Sequence, residues 1–236
     1  MNNWSESSIL FDSKEIATSC AVKYFPDCKN KTIVMMPSTT CYDLVEMKKQ
    51  NIVDESTIIY NVDNLKSKDF KDVCNSIEVF KRKYRENIKK IFGNDDLYKL
   101  NKNNFILKQN IQNIPLSIYM DKCDLVYADT CCTYNDDIRK WISNPPFLVT
   151  LKKNGIFALT ITLNRYKINY DICLNHNYDI HCFNQMEYSE KQIEKLEMIA
   201  SDIETNTNKI LKTKALIQYA NNSRSQMGIL IFQKIK

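Results

Sequence analysis

Glycine is nearly missing from this chain, at three residues in 236. A backbone that wraps a nucleotide phosphate needs glycine where a Cβ would collide or where φ must turn positive. Neither a Walker-type phosphate loop nor the three-glycine dinucleotide fingerprint can be assembled, which excludes nucleoside-triphosphatase and nicotinamide-dehydrogenase chemistry. Histidine is rarer still, at two residues, and no Ser/His/Asp constellation forms. No apolar run approaches the roughly 20 residues of a membrane-spanning helix, and the first 30 residues are polar and charged where a secretion signal is apolar. No membrane partner is expected, and the expected location is cytoplasmic, or host cytoplasm or nucleus for a viral protein.

What is present suits a packed globular protein: 44% hydrophobic residues, 26% charged residues, 13 Tyr and 10 Phe. The length accommodates one sizeable core, so a single domain over 1–236 is expected, with 1–30 as an N-terminal helical extension. Nine cysteines at irregular spacing, two of them the adjacent Cys131 and Cys132, read as reduced thiols and not as a disulfide framework. The formal charge of +5 favours a polyanionic partner weakly, and a basic solvated surface explains it equally well. Abundant Asn, Lys and Ile with so little Gly reads as the coding bias of an AT-rich genome, which suits a virus, phage or parasite.

Periodicity gives the order of elements. Ser13 to Tyr24 places Ile16, Cys20 and Tyr24 at helical spacing, with Ser13 as cap and Pro26 beyond the end. Thr32–Met36 predicts a strand, Pro37–Thr40 a loop, and Cys41, Leu44, Val45 and Met47 a helix. Thr57–Val62 is a second buried strand ending at Asp63, and a strand pair joined through a helix is parallel. Phe70, Val73, Ile77, Phe80, Tyr84, Ile88 and Ile91 predict a long helix over 69–92, with 105–107 and 116–120 as possible strand pieces beyond it. Asp124–Asp129 and Gly155–Ile161 read as central parallel strands, the second after a turn at Lys153-Asn154-Gly155. Ser189 and Gln192 form a possible capping box ahead of Ile193, Leu196, Ile199, Ala200 and Ile203. The runs 214–220 and 226–235, joined by a short polar turn, pair antiparallel.

Alternating strands and helices that end in an antiparallel hairpin resemble the class I S-adenosylmethionine-dependent methyltransferases. The resemblance covers about Thr32 to Lys236. It implies a Rossmann-like α/β fold, a mostly parallel sheet with helices on both faces. It implies S-adenosylmethionine as cofactor, held by the loop after the first strand, Pro37, Ser38, Thr39 and Thr40, by Asp63 ending the second strand, and by Asp129 ending the fourth. A carboxylate such as Asp63 offers two acceptors to a ribose diol, and an acidic turn residue in water is the plain alternative. The loop departs from the pattern, since Ser38, Thr39 and Thr40 stand where the family has glycines; their hydroxyls replace some contacts or simply cap the helix.

Asp129 opens Asp-Thr-Cys-Cys-Thr-Tyr at the place where amino-group methyltransferases of nucleic acid carry Asp or Asn, two prolines and an aromatic. The resemblance implies Asp129 as acceptor for the target amino group and Tyr134 as the stacking ring, against the alternative that Asp129 caps a helix or orients the cofactor end of the sheet. A literal Asn144-Pro145-Pro146-Phe147 stands too close to the strand at Gly155 to be that motif, and reads as a double proline opening a short helical turn. Residues 164–188 fall where the family places a variable insertion. There Arg165, Tyr166 and Tyr170 are candidates for substrate binding, by phosphate contact and base stacking, with a folded flap as the alternative. Cys173, His176, His181 and Cys182 match no common zinc spacing, so no metal is expected. The implied function is methyl transfer to a base amino group of DNA or RNA. An inactive methyltransferase-like binding or stimulatory subunit, working with a protein partner, is the alternative, and a small-molecule methyltransferase the third reading.

Overall fold

The computed structural model describes residues 8–11, 14–36, 42–54, 56–63, 104–108, 123–163, 188–221 and 225–236. The elements are β1 (Ser8–Phe11), α1 (Lys14–Val22), β2 (Thr32–Met35), α2 (Tyr42–Lys49), β3 (Ile58–Asp63), β4 (Asn104–Lys108), β5 (Cys123–Cys132), α3 (Asp136–Ser143), α4 (Pro145–Thr150), β6 (Leu151–Leu163), α5 (Tyr188–Asn206), β7 (Leu211–Asn221) and β8 (Ser225–Lys234). The expected helix over 69–92 and the strand piece at 116–120 lie outside the described residues, as does the insertion at 164–187. No described helix is long and apolar enough to cross a membrane.

One eight-stranded sheet runs in the order β1-β7-β8-β6-β5-β2-β3-β4. β4, β3, β2, β5 and β6 are mutually parallel, and β8 inserts antiparallel between β6 and β7. This is the mostly parallel Rossmann-like sheet with a closing hairpin that the element order predicts. Successive residues along each strand point to opposite faces, and both faces are buried. Val34, Val126, Phe157 and Leu230 pack beneath α3, α4 and α5, while Ile33, Met35, Leu125, Tyr127, Ile217 and Ile229 pack beneath α1 and α2.

Local chemistry explains the helix boundaries. The Asn135 side chain accepts the Ile138 N–H at 3.0 Å to start α3. The double proline occupies the first turn of α4, where missing N–H groups cost nothing, as the sequence predicts. Lys234 Nζ donates to the carbonyls of Leu148 and Leu151, at 2.7 and 2.6 Å, and so satisfies the end of α4. Phe147 seats α4 on the sheet, its ring centroid 4.9 Å from Trp141 and 4.8 Å from Phe157.

Four features differ from the sequence reading. β1 was not foreseen; it pairs parallel with β7 and extends the sheet beyond the hairpin. On α1 the buried face is Ala17, Thr18, Ala21 and Val22, and Ile16 is 52% exposed, because β7 and β8 are met by the small residues. α5 already includes Tyr188, so Ser189 lies inside the helix and not at its cap. β6 begins at Leu151 and absorbs the expected turn as a bulge, with Asn154 at φ 67°. Of the described cysteines, Cys28 and Cys123 are buried, Cys20 is half-buried and Cys132 is exposed, and none is in a disulfide. Burial pushes the thiols of Cys28 and Cys123 up to about 12, so both stay protonated.

Gly228 on β8 lets α5 approach the sheet, since a Cβ there would stand 2.3 Å from Leu196 Cδ2. Gly228→Ala is expected to lower stability by about 1–3 kcal/mol through overpacking. Combined with Leu196→Ala, the loss should fall short of the sum of the two single changes by roughly 0.5–3 kcal/mol, read from urea unfolding of the four proteins.

Candidate active site

The chain runs outward from β2 to β3 and β4, then returns to place β5 on the other flank of β2. At such a switch point the loops leave in opposite directions and open a crevice at the carboxyl ends of the strands. Met36, just past β2, is tied to β5 by its N–H, which donates to the Tyr127 carbonyl at 3.2 Å. The polar side chains of the region collect here.

Asp129 shares its sheet face with Leu125 and Tyr127, and so points toward α1. Lys14, in the first turn of α1, reaches it with Nζ 2.6 Å from Oδ2. The Lys14 side chain is 34% exposed and that of Asp129 8%. Behind this pair lies Asp43, buried in the first turn of α2. Thr18 Oγ1 and the Tyr127 hydroxyl both donate to Asp43 Oδ1 at 3.3 Å, and Thr160 Oγ1 donates to the Tyr127 oxygen at 3.4 Å. Burial, and next the negative charge of Asp129, push the Asp43 carboxyl up to about 6; Lys14 and the two hydroxyls pull the other way without cancelling the rise. Burial and the same two carboxylates hold the Tyr127 phenol well above its ordinary value, so it remains a donor. The charges acting on Asp43 among the described residues are thus one carboxylate and one ammonium.

Asp129 is expected to end its strand. It lies within β5, which continues to Cys132 through an irregular register after Asp129. Asp63 is the last residue of β3, two positions beyond the Asn61 that pairs with Met35. Its side chain, Pro37–Thr40, Arg165, Tyr166, Tyr170 and the Cys173, His176, His181 and Cys182 group lie outside the described residues. Tyr134 requires a correction. Its ring is buried among the residues beneath α5, and its hydroxyl donates to Asp202 Oδ2 at 2.8 Å while Arg139 Nη2 donates to Oδ1 at 2.8 Å. A ring held this way fastens α3 to α5 and offers no face to a flipped base. Asn144-Pro145-Pro146-Phe147 sits at the amino end of β6, away from the crevice, as its spacing predicts.

Lys14, Thr18 and Asp43 were missed by sequence reasoning. Asp43 had a legible signal: a carboxylate set among the buried Leu44 and Met47 of its helix, where an apolar residue is expected. Lys14 had none, since any lysine beginning a helix reads as solvated.

No protein-family model matches the sequence, and no curated protein matches it. Solved structures do match in fold. A methyltransferase dependent on S-adenosylmethionine from Aquifex aeolicus superposes with a TM-score of 0.53 at 13% identity, over 94% of this chain and 94% of its own. Geranyl diphosphate C-methyltransferase from Streptomyces coelicolor, in complex with S-adenosyl-L-homocysteine, gives 0.51 at 7% identity over 94% and 77%. Pyrococcus horikoshii TYW2, in complex with MeSAdo, gives 0.51 at 10% identity; the match covers 96% of this chain but 66% of that protein's length. At these identities the likeness is one of fold alone, a mostly parallel α/β sheet closed by an antiparallel hairpin.

Asp43 sets a pH dependence whose sign follows from its titration. The folded carboxyl titrates near 6 against 3.8 for the free group, so folding takes up a proton between these values. Stability therefore falls as pH rises from about 4 through about 6, and the full cost is present above that. Asp43→Asn is expected to raise stability by about 1–3 kcal/mol near pH 8 and to change it little near pH 4, measured by urea unfolding at both.

Proposed function

We propose that this chain is an S-adenosylmethionine-dependent methyltransferase acting on nucleic acid. The observation that carries the reading is the polar cluster at the switch point of a class I methyltransferase-like fold, where the described residues bring together two carboxylates, Asp43 and Asp129, and one ammonium, Lys14. A sulfonium is a permanent cation, and that charge suits it. When bound, the cofactor supplies an electrophilic methyl group. The chain's part is to bind and orient: Asp63, ending β3, accepts from the ribose hydroxyls, and Ser38, Thr39 and Thr40, before α2, stand in for the absent glycines. Asp129 faces the acceptor. Positioning of this kind supplies much of the rate in a direct group transfer.

Nucleic acid is favoured by the net charge of +5 and by the basic and aromatic residues Arg165, Tyr166 and Tyr170, which follow β6 in sequence. The second reading is a methyltransferase-like subunit without activity, and the glycine-free loop at 37–40 is the feature that favours it.

Calorimetry with S-adenosylhomocysteine separates the two. Binding is expected, and Asp63→Ala should weaken it by roughly 1–3 kcal/mol through loss of charge-assisted hydrogen bonds. Absence of heat at millimolar ligand selects the inactive subunit. For the substrate, single-strand binding should weaken steeply with salt. Arg165→Ala should flatten that slope, and Tyr170→Ala should weaken binding with the slope little changed; strands bound as by the parent protein would remove the insertion as the recognition surface.

A further inference from the structure

Asp43 is a buried carboxyl group held by neutral partners. Among the described residues it accepts from two hydroxyls, Thr18 Oγ1 of α1 and that of Tyr127 of β5. The charges that reach it from these elements are Asp129 of β5, which repels, and Lys14 of α1, whose attraction is the smaller effect. An ionised group so placed loses its hydration and recovers it only in part. Asparagine would keep both accepted hydrogen bonds and carry no charge. The acid nevertheless stands in the first turn of α2, the helix that follows the proposed cofactor loop, and a buried titratable group beside a cleft is a mark of function. Its partners suit a change of state. A hydroxyl donates to a carboxylate or accepts from a carboxylic acid by turning its O–H bond, and Thr160 Oγ1, bonded to the Tyr127 oxygen, brings the set to three. The cradle thus accommodates the carboxyl with or without its proton and needs no backbone movement.

We propose that Asp43 is a specificity-determining residue that matches the charge of the crevice to that of its ligand, ionised beneath the sulfonium of S-adenosylmethionine and protonated beneath the neutral thioether of S-adenosylhomocysteine. The proposal rests on the methyltransferase reading and deepens it. The two ligands differ by one methyl group and one positive charge at sulfur. In a poorly hydrated region an added cation favours the ionised form of a nearby carboxyl, and a neutral ligand that displaces water favours the protonated form. The converse follows by linkage: ionised Asp43 favours the sulfonium, and protonated Asp43 the thioether. Burial places the titration at about 6, so both forms are within reach near neutral pH.

The test counts protons. Calorimetry at about pH 6, in two buffers of different ionisation enthalpy, gives the number exchanged when each ligand binds. Near that pH about half of the free molecules carry the Asp43 proton. S-adenosylmethionine should release up to about half a proton and S-adenosylhomocysteine should take up as much. The affinity ratio favouring S-adenosylmethionine should rise about fivefold from about pH 5 to about pH 7, for titrations roughly one pH unit apart in the two complexes. Asp43→Asn should abolish both exchanges and flatten the ratio. Thr18→Val removes a hydroxyl that favours the ionised form, and should move the rise to higher pH. A carboxyl with a structural role alone would give no exchange of opposite sign. The parent's proton counts and Thr18→Val carry the test even where Asp43→Asn fails to fold. Equal proton counts for the two ligands, or counts that survive in Asp43→Asn, overturn the assignment and leave the methyltransferase reading standing, since both ligands still give heat. No heat from either ligand removes that reading, and the assignment with it.

Discussion

A sheet covered on both faces leaves the middle of its central strands no path to water, and this constraint orders much else in the molecule. Interior positions of β2, β5, β6 and β8 are apolar on both sides. The polar residues within the strands are admitted where they pair with one another, as Thr160 and Tyr127 do. Charge is displaced to the strand ends. At the amino end Asp124 accepts from Lys152 and from the Thr32 N–H, stitching β5 to β6 and β2. At the carboxyl end Asp129 and Asp43 meet beside Lys14.

The hairpin adds a second constraint. β8 lies antiparallel in the middle of one half of the sheet, so β7 becomes a strand with an open side, and β1 fills it in parallel. Through this pairing, and through α1 packed on β7 and α2, the beginning of the chain is carried to the crevice. Lys14 arrives there as the first residue of α1.

The parallel strands were legible because β-branched runs such as Thr32–Met35 and Ile58–Val62 carry their burial locally, and so was the hairpin, through its short polar connection. Asp129 was legible as an acid ending an apolar run. What escaped depends on contacts distant in sequence. Ser8–Phe11 is a strand only because β7 offers it an edge. Tyr134 looked like a free aromatic beside a strand end, and its inward orientation is set by Asp202, 68 residues later. Of the expected α1 stripe, Cys20 and Tyr24 pack against the core while Ile16 is exposed, because the fully buried face is Ala17, Thr18, Ala21 and Val22. Lys14 illustrates the general limit: a charged residue at a helix start has the same local signature whether it faces water or a carboxylate.

The pairing of β1 with β7 also bears on the order in which the protein is made. Residues 8–22 leave the ribosome long before 211–234, which form the surface on which they dock. Residues 8–11 can complete their pairing only once β7 has formed, whereas α1 also has α2 to pack on. The last two strands thus supply one part of the platform that carries Lys14 to Asp129, and the helix made soon after it supplies the other.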